Sequence, residues 1–213
     1  MDALSKNPVL MIHGIDDTAA VFNRMTTYLK DRGWSTHSLS LIPNNGSVGL
    51  DQLAHQVANY SDRHFPNGRP FDLIGFSMGG LVSRYYLQRL GGINRVQRFI
   101  TLAAPHNGSR IAHFRRNRGA AQMRPDSLFL QDLNRDVAML KRINFTSVWT
   151  PYDLMISPAN SSRLPVGEEV QTPVLLHPWM LEDERSLTAT AAALAAPLKH
   201  KNNSLSSTRP ILN

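Results

Sequence analysis

Short apolar runs alternate along the chain with longer segments in which apolar residues recur every three or four positions. Such a run is typical of a buried strand, and the wider spacing is typical of a helix with one apolar face. The runs predict strands at 8–12, 36–42, 71–76, 96–103, 145–150 and 170–176. The helical pattern covers 19–32, 50–60, 78–90, 126–143 and 181–196. This alternation predicts an α/β fold with a parallel sheet of about six strands and helices on both faces.

One predicted connection is much longer than the others. About forty residues, 105–144, separate the fourth predicted strand from the fifth, whereas such connections usually take a handful of residues. The first half is rich in arginine and shows no periodic pattern, and the second half, 126–143, has helical spacing. Long excursions are usually functional loops or lids, with a plain insertion as the alternative. We therefore predict one domain over 1–198 with a lid-like insertion at 105–144, followed by a polar tail at 199–213.

Composition places the chain among ordinary globular proteins. Of its 213 residues, 42% are hydrophobic and 18% are charged. No apolar run approaches the roughly 18 residues of a membrane span, and the first residues lack the basic and apolar parts of a secretory signal. These features predict a cytoplasmic protein whose contact with membranes is at most peripheral. The absence of cysteine excludes disulfides, thiolate metal sites and cysteine nucleophiles.

The chain is basic, and part of its positive charge is concentrated in one place. Its formal net charge is +7. Arginines cluster in the predicted insertion at Arg110, Arg115, Arg116, Arg118 and Arg124. Such a cluster suits an anionic lipid surface or a nucleic acid, and a solvated loop on a basic protein is the alternative.

The sequence GFSMGG at 75–80 lies between the third predicted strand and the following helix. It contains the G-x-S-x-G spacing of a nucleophile elbow, in which a tight strand-to-helix turn exposes a serine. The glycines two positions before and after that serine leave room for a crowded backbone. The alternative is a turn whose glycines serve only close packing. Because ligands collect at the carboxyl ends of parallel strands, we predict that Ser77 is a nucleophile.

A serine nucleophile needs a histidine base, and the base needs an acid that orients it. In elbow enzymes the chain order is serine, acid, histidine, which leaves only His177 and His200 as bases. Since His200 falls in the polar tail, His177, after the sixth predicted strand, is the predicted base. Among the carboxylates between Ser77 and His177, Asp153 alone follows a predicted strand. Asp153 is the predicted acid, with a turn-capping aspartate after Pro151 as the alternative.

The negative oxygen of a tetrahedral intermediate needs backbone N–H donors. Elbow enzymes take one from the residue after the nucleophile and one from the loop after the first strand, here Met78 and Ile15. His13 precedes the serine in the chain, and we interpret it as a residue that packs and fixes this loop. Ile15, Phe76 and Leu154 adjoin the predicted catalytic groups in sequence and are predicted to contact the substrate.

With these residues identified, the chain resembles the small bacterial lipases and esterases of the α/β-hydrolase fold. The likeness runs from position 8 to about position 196 through PVLMIHGI, FDLIGFSMGGLVSRYYL, FITLAAPHNGS, WTPYDLMI and LLHPWMLED. It implies the minimal α/β-hydrolase fold, a triad of Ser77, Asp153 and His177, and an oxyanion hole made by the N–H groups of Ile15 and Met78. It also implies that the reaction needs no metal ion or other cofactor. The arginine-rich stretch is not part of the family's pattern.

These features predict a serine hydrolase that cleaves carboxylic esters through an acyl-enzyme. The apolar residues among the arginines favour a lipase that acts on acylglycerol lipids, including glycolipids or phospholipids, at an anionic membrane surface. A short-chain carboxylesterase and an acyl thioesterase are the alternatives, and acyl transfer to an alcohol is equally compatible with the sequence. A non-enzymatic scaffold explains the arginines but not the catalytic residue types. We expect a monomer that binds a lipid or small ester and no nucleic acid.

Overall fold

A computed structural model describes residues 6–199 of the chain, so His200 and nearly all of the predicted tail lie outside the described residues. Its strands are β1 (Val9–Ile12), β2 (Thr36–Leu39), β3 (Phe71–Phe76), β4 (Val96–Leu102), β5 (Asn144–Trp149) and β6 (Glu168–Gln171). Its α-helices are α1 (Asn23–Lys30), α2 (Leu50–His64), α3 (Met78–Arg89), α4 (Arg118–Gln122), α5 (Leu128–Arg135) and α6 (Glu184–Ala195). Short 3-10 helices stand at Ala19–Phe22, Gly92–Asn94, Arg110–Phe114, Val137–Arg142, Ala159–Ser162 and His177–Leu181. Within this part of the chain, no helix has the length and apolar content needed to cross a bilayer.

The strands form one parallel sheet in the order β2-β1-β3-β4-β5-β6. The chain passes from β1 to the edge strand β2, returns to the other side of β1 with β3, and then continues outward. This reversal of direction leaves a cleft beyond the carboxyl ends of β1 and β3, which is where ligands bind in open α/β sheets. The predicted parallel sheet is confirmed.

Side chains that alternate along the central strands build two apolar layers, one on each face of the sheet. In β1, Leu10 and Ile12 belong to the layer that α2, α3 and α5 cover. Val9 and Met11 belong to the opposite layer, which α1 and α6 cover. Because successive residues of a strand point to opposite faces, a strand covered on both sides is apolar at every position. This arrangement explains why β1 is a continuous apolar run in the sequence, and it confirms the predicted helices on both faces.

Some elements are shorter than predicted. The helix predicted at 19–32 begins as a 3-10 helix and is α-helical only over Asn23–Lys30. The strand predicted at 170–176 ends at Gln171, because residues 172–176 leave the sheet and carry the exposed side chains of Leu175 and Leu176. The sequence pattern shows that these residues are apolar, but it does not show that they lie outside the sheet.

The arginine-rich half of the insertion is more regular than predicted. It contains the 3-10 helix Arg110–Phe114 and the short helix α4. Ser109 starts the first by accepting the N–H of Ile111, and Asn117 starts the second by accepting the N–H of Ala120. Serine and asparagine are among the preferred residues for this capping position.

A buried polar contact fastens the helical half of the insertion to α3. Arg84 is fully buried, and its guanidinium donates to the carbonyl oxygens of Leu133 (2.9 Å) and His106 (3.4 Å) and to Asn134 Oδ1 (2.9 Å). Burial lowers the pKa of Arg84 to about 9. Leu133 itself is buried. The helical part of the insertion therefore packs as a fixed layer on α3.

Candidate active site

A sharp turn between β3 and α3 holds Ser77 at the carboxyl end of the central strand. Its φ of 52° and ψ of −123° are strained for a residue with a side chain. The turn requires glycine on both sides: a Cβ on Gly75 would lie 2.6 Å from the Cα of Gly80, and a Cβ on Gly79 would lie 2.1 Å from the carbonyl oxygen of Ile12. The glycines serve close packing, and the same packing presents Ser77 to two cavities.

The loop after β1 lies directly beside Ser77. A Cβ on Gly14 would be 3.2 Å from Ser77 Cβ. His13 is fully buried; its Nε2 accepts the N–H of Leu41 (2.8 Å), so its Nδ1–H donates to the carbonyl oxygen of Gly14 (2.7 Å). Burial lowers the pKa of His13, which favours the neutral ring that this pair of bonds requires. These contacts confirm the interpretation of His13 as a residue that fixes the loop.

His177 and Asp153 are hydrogen-bonded to each other at the same end of the sheet. His177 Nδ1 lies 2.7 Å from Asp153 Oδ2, and both side chains are almost fully buried. The other oxygen, Asp153 Oδ1, accepts the N–H groups of Met155 and Ile156, each at 2.9 Å. Asp153 therefore caps its own turn and also binds the imidazole. Because the backbone fixes the carboxylate, the carboxylate in turn fixes the orientation of the ring.

His177 does not directly follow a strand, which corrects the sequence-based prediction. β6 ends at Gln171, and His177 is the first residue of a 3-10 helix. The connection between them is held against the end of β5, where the Thr150 hydroxyl donates to the carbonyl oxygen of Val174 (2.5 Å). The ring of Phe76 lies 4.8 Å from the ring of His177, centroid to centroid. Loop contacts, and not a strand end, thus place the imidazole.

Two backbone N–H groups beside Ser77 find no acceptor among the described residues. Neither Ile15 nor Met78 donates its N–H to an acceptor within residues 6–199. Met78 is the first residue of α3, and the first N–H groups of a helix have no partner inside it. Ile15 stands in the loop beside Ser77 and lines both cavities. The positive end of the α3 dipole adds positive potential at this point.

A cavity of about 500 Å³ opens beside Ser77 and His177. All three residues predicted to contact the substrate, Ile15, Phe76 and Leu154, line it. Further apolar side chains complete the wall, namely Val21, Met155, Leu175, Leu176, Pro178 and Leu181. A cavity of this size and character is typical of a site for a small apolar ligand.

The same cavity is lined by two carboxylates, Asp17 and Glu182, which the sequence pattern does not identify as site residues. In the sequence Asp17 looks like one of several N-cap residues before the first helix, but Thr18 is the residue that caps it. Partial burial raises the pKa of Asp17, and the nearby imidazoles of His13 and His177 act in the opposite direction. The available signal is the position of Asp17 in the loop after β1, at the ligand-binding end of the sheet.

A second cavity of about 70 Å³ shares Ile15, Ser77 and Met155 with the first. The remainder of its wall comes mainly from the insertion, through Ser109, Ile111, Ala112, Arg115, Ala120 and Met123. Ser77 therefore stands between a larger apolar space and a smaller space bounded by the insertion. The insertion residues at this wall have no catalytic sequence signal, because only the tertiary fold brings them to Ser77.

His106 also follows a strand in the sequence, but it lies away from these cavities. It is fully buried, and its Nε2 is 3.0 Å from Thr101 Oγ1. Burial lowers the pKa of His106 well below its usual range. His106 is thus a neutral residue of the interior.

Comparison with known families gives one match that spans most of the chain. A family model described as palmitoyl protein thioesterase matches residues 8–152. The matched range contains β1 to β5, the elbow at Ser77 and the loop at Ile15. It ends just before Asp153, so Asp153 and His177 lie beyond it.

Several solved structures are similar to this one. Bacillus licheniformis lipase BlEst2 in its mature form has a TM-score of 0.75 at 16% identity, covering 91% of this chain and 94% of that one. Aspergillus fumigatus lipase B has a TM-score of 0.74 at 15% identity, covering 90% of this chain and 53% of that one. The lin2722 gene product of Listeria innocua has a TM-score of 0.67 at 13% identity, covering 89% and 94%. At these identities the likeness shows the fold, and the predicted α/β-hydrolase fold is confirmed.

Proposed function

The chain belongs to the palmitoyl protein thioesterase family and is an ester-cleaving hydrolase, and from this premise we propose that Ser77, His177 and Asp153 form its catalytic triad. The observation that carries the proposal is the 2.7 Å hydrogen bond from His177 to Asp153 beside a cavity that Ser77 also lines. A strained serine on a strand-to-helix turn, a base and an orienting acid occur here in the chain order of elbow hydrolases.

In the proposed reaction, Ser77 Oγ attacks the acyl carbonyl carbon while its proton passes to His177 Nε2. The Nδ1–H of His177 stays bonded to Asp153, whose negative charge stabilises the imidazolium. The intermediate collapses when His177 returns the proton to the leaving alcohol or thiol, and the acyl group remains esterified to Ser77. A water that gives its proton to His177 then attacks the acyl-enzyme. This attack forms a second tetrahedral intermediate. When it collapses, the acid is released and His177 returns the proton to Ser77.

The N–H groups of Ile15 and Met78 donate to the negative oxygen of the tetrahedral intermediate in this proposal. Support comes from their position next to Ser77, in the adjacent loop and at the start of α3, and from their lack of a protein acceptor within residues 6–199. Donors that are already oriented cost no reorganisation when charge develops. Losing one such donor typically lowers kcat by about 10² to 10³.

The acyl group of the substrate occupies the larger cavity. This assignment is supported by the mainly apolar wall and the volume of about 500 Å³. The leaving group then faces the smaller space beside the insertion, where Arg115 is the charged residue of the wall. We favour a lipase that hydrolyses acylglycerol lipids, including glycolipids or phospholipids.

Acyl thioester hydrolysis is the second candidate, because the matched family model is described as a thioesterase. The proposed triad attacks an ester and a thioester in the same way, and the two differ in the leaving atom. A short-chain carboxylesterase is the remaining alternative. A small or blocked acyl cavity would favour it, and the larger cavity beside Ser77 argues in the other direction.

The test compares the wild-type protein with Ser77→Ala on a panel of esters and thioesters of matched acyl length, from butyryl to palmitoyl. We expect kcat/KM to rise with acyl length and Ser77→Ala to lower kcat at least about 10⁴-fold, because the nucleophile is removed. A fluorophosphonate probe is expected to label the wild type and not Ser77→Ala. Ser83→Ala, which removes a buried hydroxyl from α3, the helix that follows Ser77, is the matched control and should keep activity and labelling.

Each component of the proposal has its own contradicting result. Label or near-normal turnover in Ser77→Ala would remove Ser77 as the nucleophile. Activity confined to butyryl esters would identify a short-chain carboxylesterase. A higher kcat/KM for thioesters than for glycerol esters at every acyl length would select the thioesterase.

A further inference from the structure

The arginine-rich half of the insertion carries an unbalanced positive charge. We call residues 110–124 the arginine segment; it contains five arginines and no aspartate or glutamate. Two carboxylates from other elements reach it: Asp16 pairs with Arg115, and Asp51 lies 3.5 Å from Arg118. The segment therefore keeps an excess of positive charge after its ion pairs are formed.

Two of these arginines are directed to solvent. Arg110 and Arg116 are exposed, and their side chains have no ion-pair or hydrogen-bond partner within residues 6–199. Arg124 differs, because its guanidinium donates to the carbonyl oxygens of Ala112 (3.4 Å) and Arg115 (2.9 Å). Phe114, between the two solvent-directed arginines in sequence, is 84% exposed. Phe114 is therefore free to contact another surface from among the arginines.

Further exposed apolar side chains surround the opening of the larger cavity. We call this group the apolar collar; it consists of Leu154, Met155, Leu175 and Leu176, all of which line that cavity. Leu154 is 78% exposed, and the other three are at least 44% exposed. Contiguous apolar side chains at the surface mark a site of interaction.

The arginine segment and the apolar collar are joined on one side of the molecule. The Ser109 hydroxyl donates to the carbonyl oxygen of Met155 (2.8 Å) and accepts the N–H of Ser157 (3.0 Å). The N–H of Arg110 donates to the carbonyl oxygen of Ser157 (2.8 Å). Arg115 and Met155 line the same small cavity beside Ser77. The arginine segment and the apolar collar therefore meet beside the small cavity next to Ser77.

We propose that this face docks the enzyme on the surface of an anionic lipid bilayer. Phe114 and the apolar collar enter the boundary between headgroups and acyl chains, and Arg110 and Arg116 contact anionic headgroups. An acyl chain then passes from the bilayer into the larger cavity without crossing water. The inference rests on the proposed function, since it assigns a lipid surface as the place where that site meets its substrate.

The chemistry of the face distinguishes this occupant from others. A nucleic acid would engage the arginines but leave Leu154, Leu175 and Leu176 exposed to water. A second copy of the chain docked through the same face would bring two arginine segments together, because a two-fold interface places identical patches against each other. A bilayer satisfies both the apolar and the cationic parts.

The test measures co-sedimentation with phosphatidylcholine vesicles, with and without phosphatidylglycerol, using proteins that also carry Ser77→Ala. Binding is thereby measured without catalysis, so a failure of the proposed triad does not alter the result. We expect binding to vesicles that contain phosphatidylglycerol, weakened by salt. Arg110→Gln with Arg116→Gln should weaken it roughly 10- to 30-fold, and Phe114→Ser should weaken it further. Arg63→Gln with Arg69→Gln, at exposed residues in the last turn of α2 and in the loop before β3, makes the same charge change and should bind as the parent does.

Activity on a soluble butyryl ester, measured with Ser77 restored, should be unchanged in the Arg110, Arg116 and Phe114 variants, which shows that they are folded. The proposal is overturned if the protein does not bind phosphatidylglycerol vesicles, or if the Arg63 and Arg69 variant loses as much affinity as the Arg110 and Arg116 variant. Sedimentation velocity, which measures the oligomeric state, distinguishes lipid docking from self-association. A dimer that dissociates on Phe114→Ser would assign the face to a second copy and overturn lipid docking.

Discussion

Asp17 places a carboxylate in a cavity whose wall is otherwise mainly apolar. Partial burial raises its pKa, because the charged form loses solvation. The acid released from the proposed acyl-enzyme is an anion at neutral pH. An ionised Asp17 repels that product, and a protonated Asp17 does not. The carboxylate therefore favours departure of the product over its retention.

The first prediction concerns Asp17→Asn and inhibition by octanoate, a soluble product analogue. At pH values above the raised pKa of Asp17, we expect the variant to bind octanoate roughly three- to tenfold more tightly than the wild type, because a nearby like charge is gone. The difference should shrink as the pH falls through that pKa and Asp17 becomes neutral. Inhibition constants measured across the pH range give this ratio. Asp31→Asn, at a surface residue after α1, should bind octanoate as tightly as the wild type does. Equal inhibition constants for Asp17→Asn and the wild type at high pH would contradict a role of Asp17 in repelling the product.

The residues most accessible to sequence reasoning are those whose chemistry imposes a local pattern. Ser77 is predictable because a strained turn demands glycines at fixed positions around it. Asp153 and His177 are proposed from chain order, residue type and their positions after predicted strands. Asp17 and Arg115 carry no such pattern, since each reaches the cavities through a loop path that depends on distant contacts, such as the ion pair of Arg115 with Asp16.

At the level of elements, the insertion is held to the sheet by the end of α3. Arg89 lies 2.8 Å from a carboxylate oxygen of Asp132, within α5, and 2.8 Å from one of Asp136, the residue directly after α5. The hydrogen bonds from Arg89 lower the pKa of Asp136. These contacts, with the buried Arg84, fix the helical half of the insertion.

The second prediction uses the lowered pKa of Asp136. A carboxyl group that is more acidic in the folded state stabilises the fold above its ordinary pKa of about 3.9, and this contribution is lost as the pH falls through the lowered value. Asp136→Asn should therefore lower the free energy of unfolding by about 1 kcal/mol or less near neutral pH, since the pair is partly exposed to solvent. The deficit should begin to shrink below about pH 4 and should vanish once the pH lies below the lowered pKa of Asp136.

Urea unfolding at several pH values measures this difference. Asp126→Asn is the matched control, because Asp126 is an exposed carboxylate of the same insertion without an ion pair in the described part of the chain. A deficit that stays constant down to acid pH would show that the Asp136 side chain acts by its shape and not by its charge.

Sequence-based predictions of element boundaries are wrong where apolar residues line a surface or cavity and do not belong to the core. Residues 172–176 read as the end of a strand, because an apolar run and a buried strand share one signature. In the structure Leu175 and Leu176 line the larger cavity instead. A hydrophobic pattern indicates that side chains contact apolar surroundings, but it does not distinguish the protein core from the wall of a cavity.

At the level of the whole molecule, stability is expected to fall from the centre of the sheet to its edges. β3 has strands on both sides, and all of its residues are buried. β6 is a short edge strand that pairs only with β5 and is largely exposed. Backbone hydrogen bonds at an exposed edge open without unfolding of the core.

The third prediction follows from this gradient and is measured by amide hydrogen exchange with mass spectrometry. Peptides from β1, β3 and β4 should exchange slowest, and those from β6 should exchange fastest among the strands. Central strands open only on global unfolding, whereas β6 detaches locally. Protection of β6 equal to that of β3 would contradict this view and indicate that another surface covers the edge.

The order of strands and helices along the chain, the parallel α/β fold and the elbow turn at Ser77 could all be predicted from the sequence. These features rest on local rules: the period of apolar residues, the need for glycine in a strained turn, and the preference of ligands for one end of a parallel sheet. Asp153 and His177 were candidates from the sequence, which did not show the loop path that brings His177 against Asp153.

Tertiary structure alone decided which loop side chains share a space. In the fold, Ser109 connects the arginine segment to the apolar collar through its hydrogen bond to Met155. Asp17 lines the larger cavity, and residues 172–176 lie outside the sheet. Such contacts join residues that are far apart in the chain, and their geometry depends on the packing of every element between them. A local pattern contains no information about that packing, which is the physical reason why the turn at Ser77 could be predicted from the sequence and the surface around it could not.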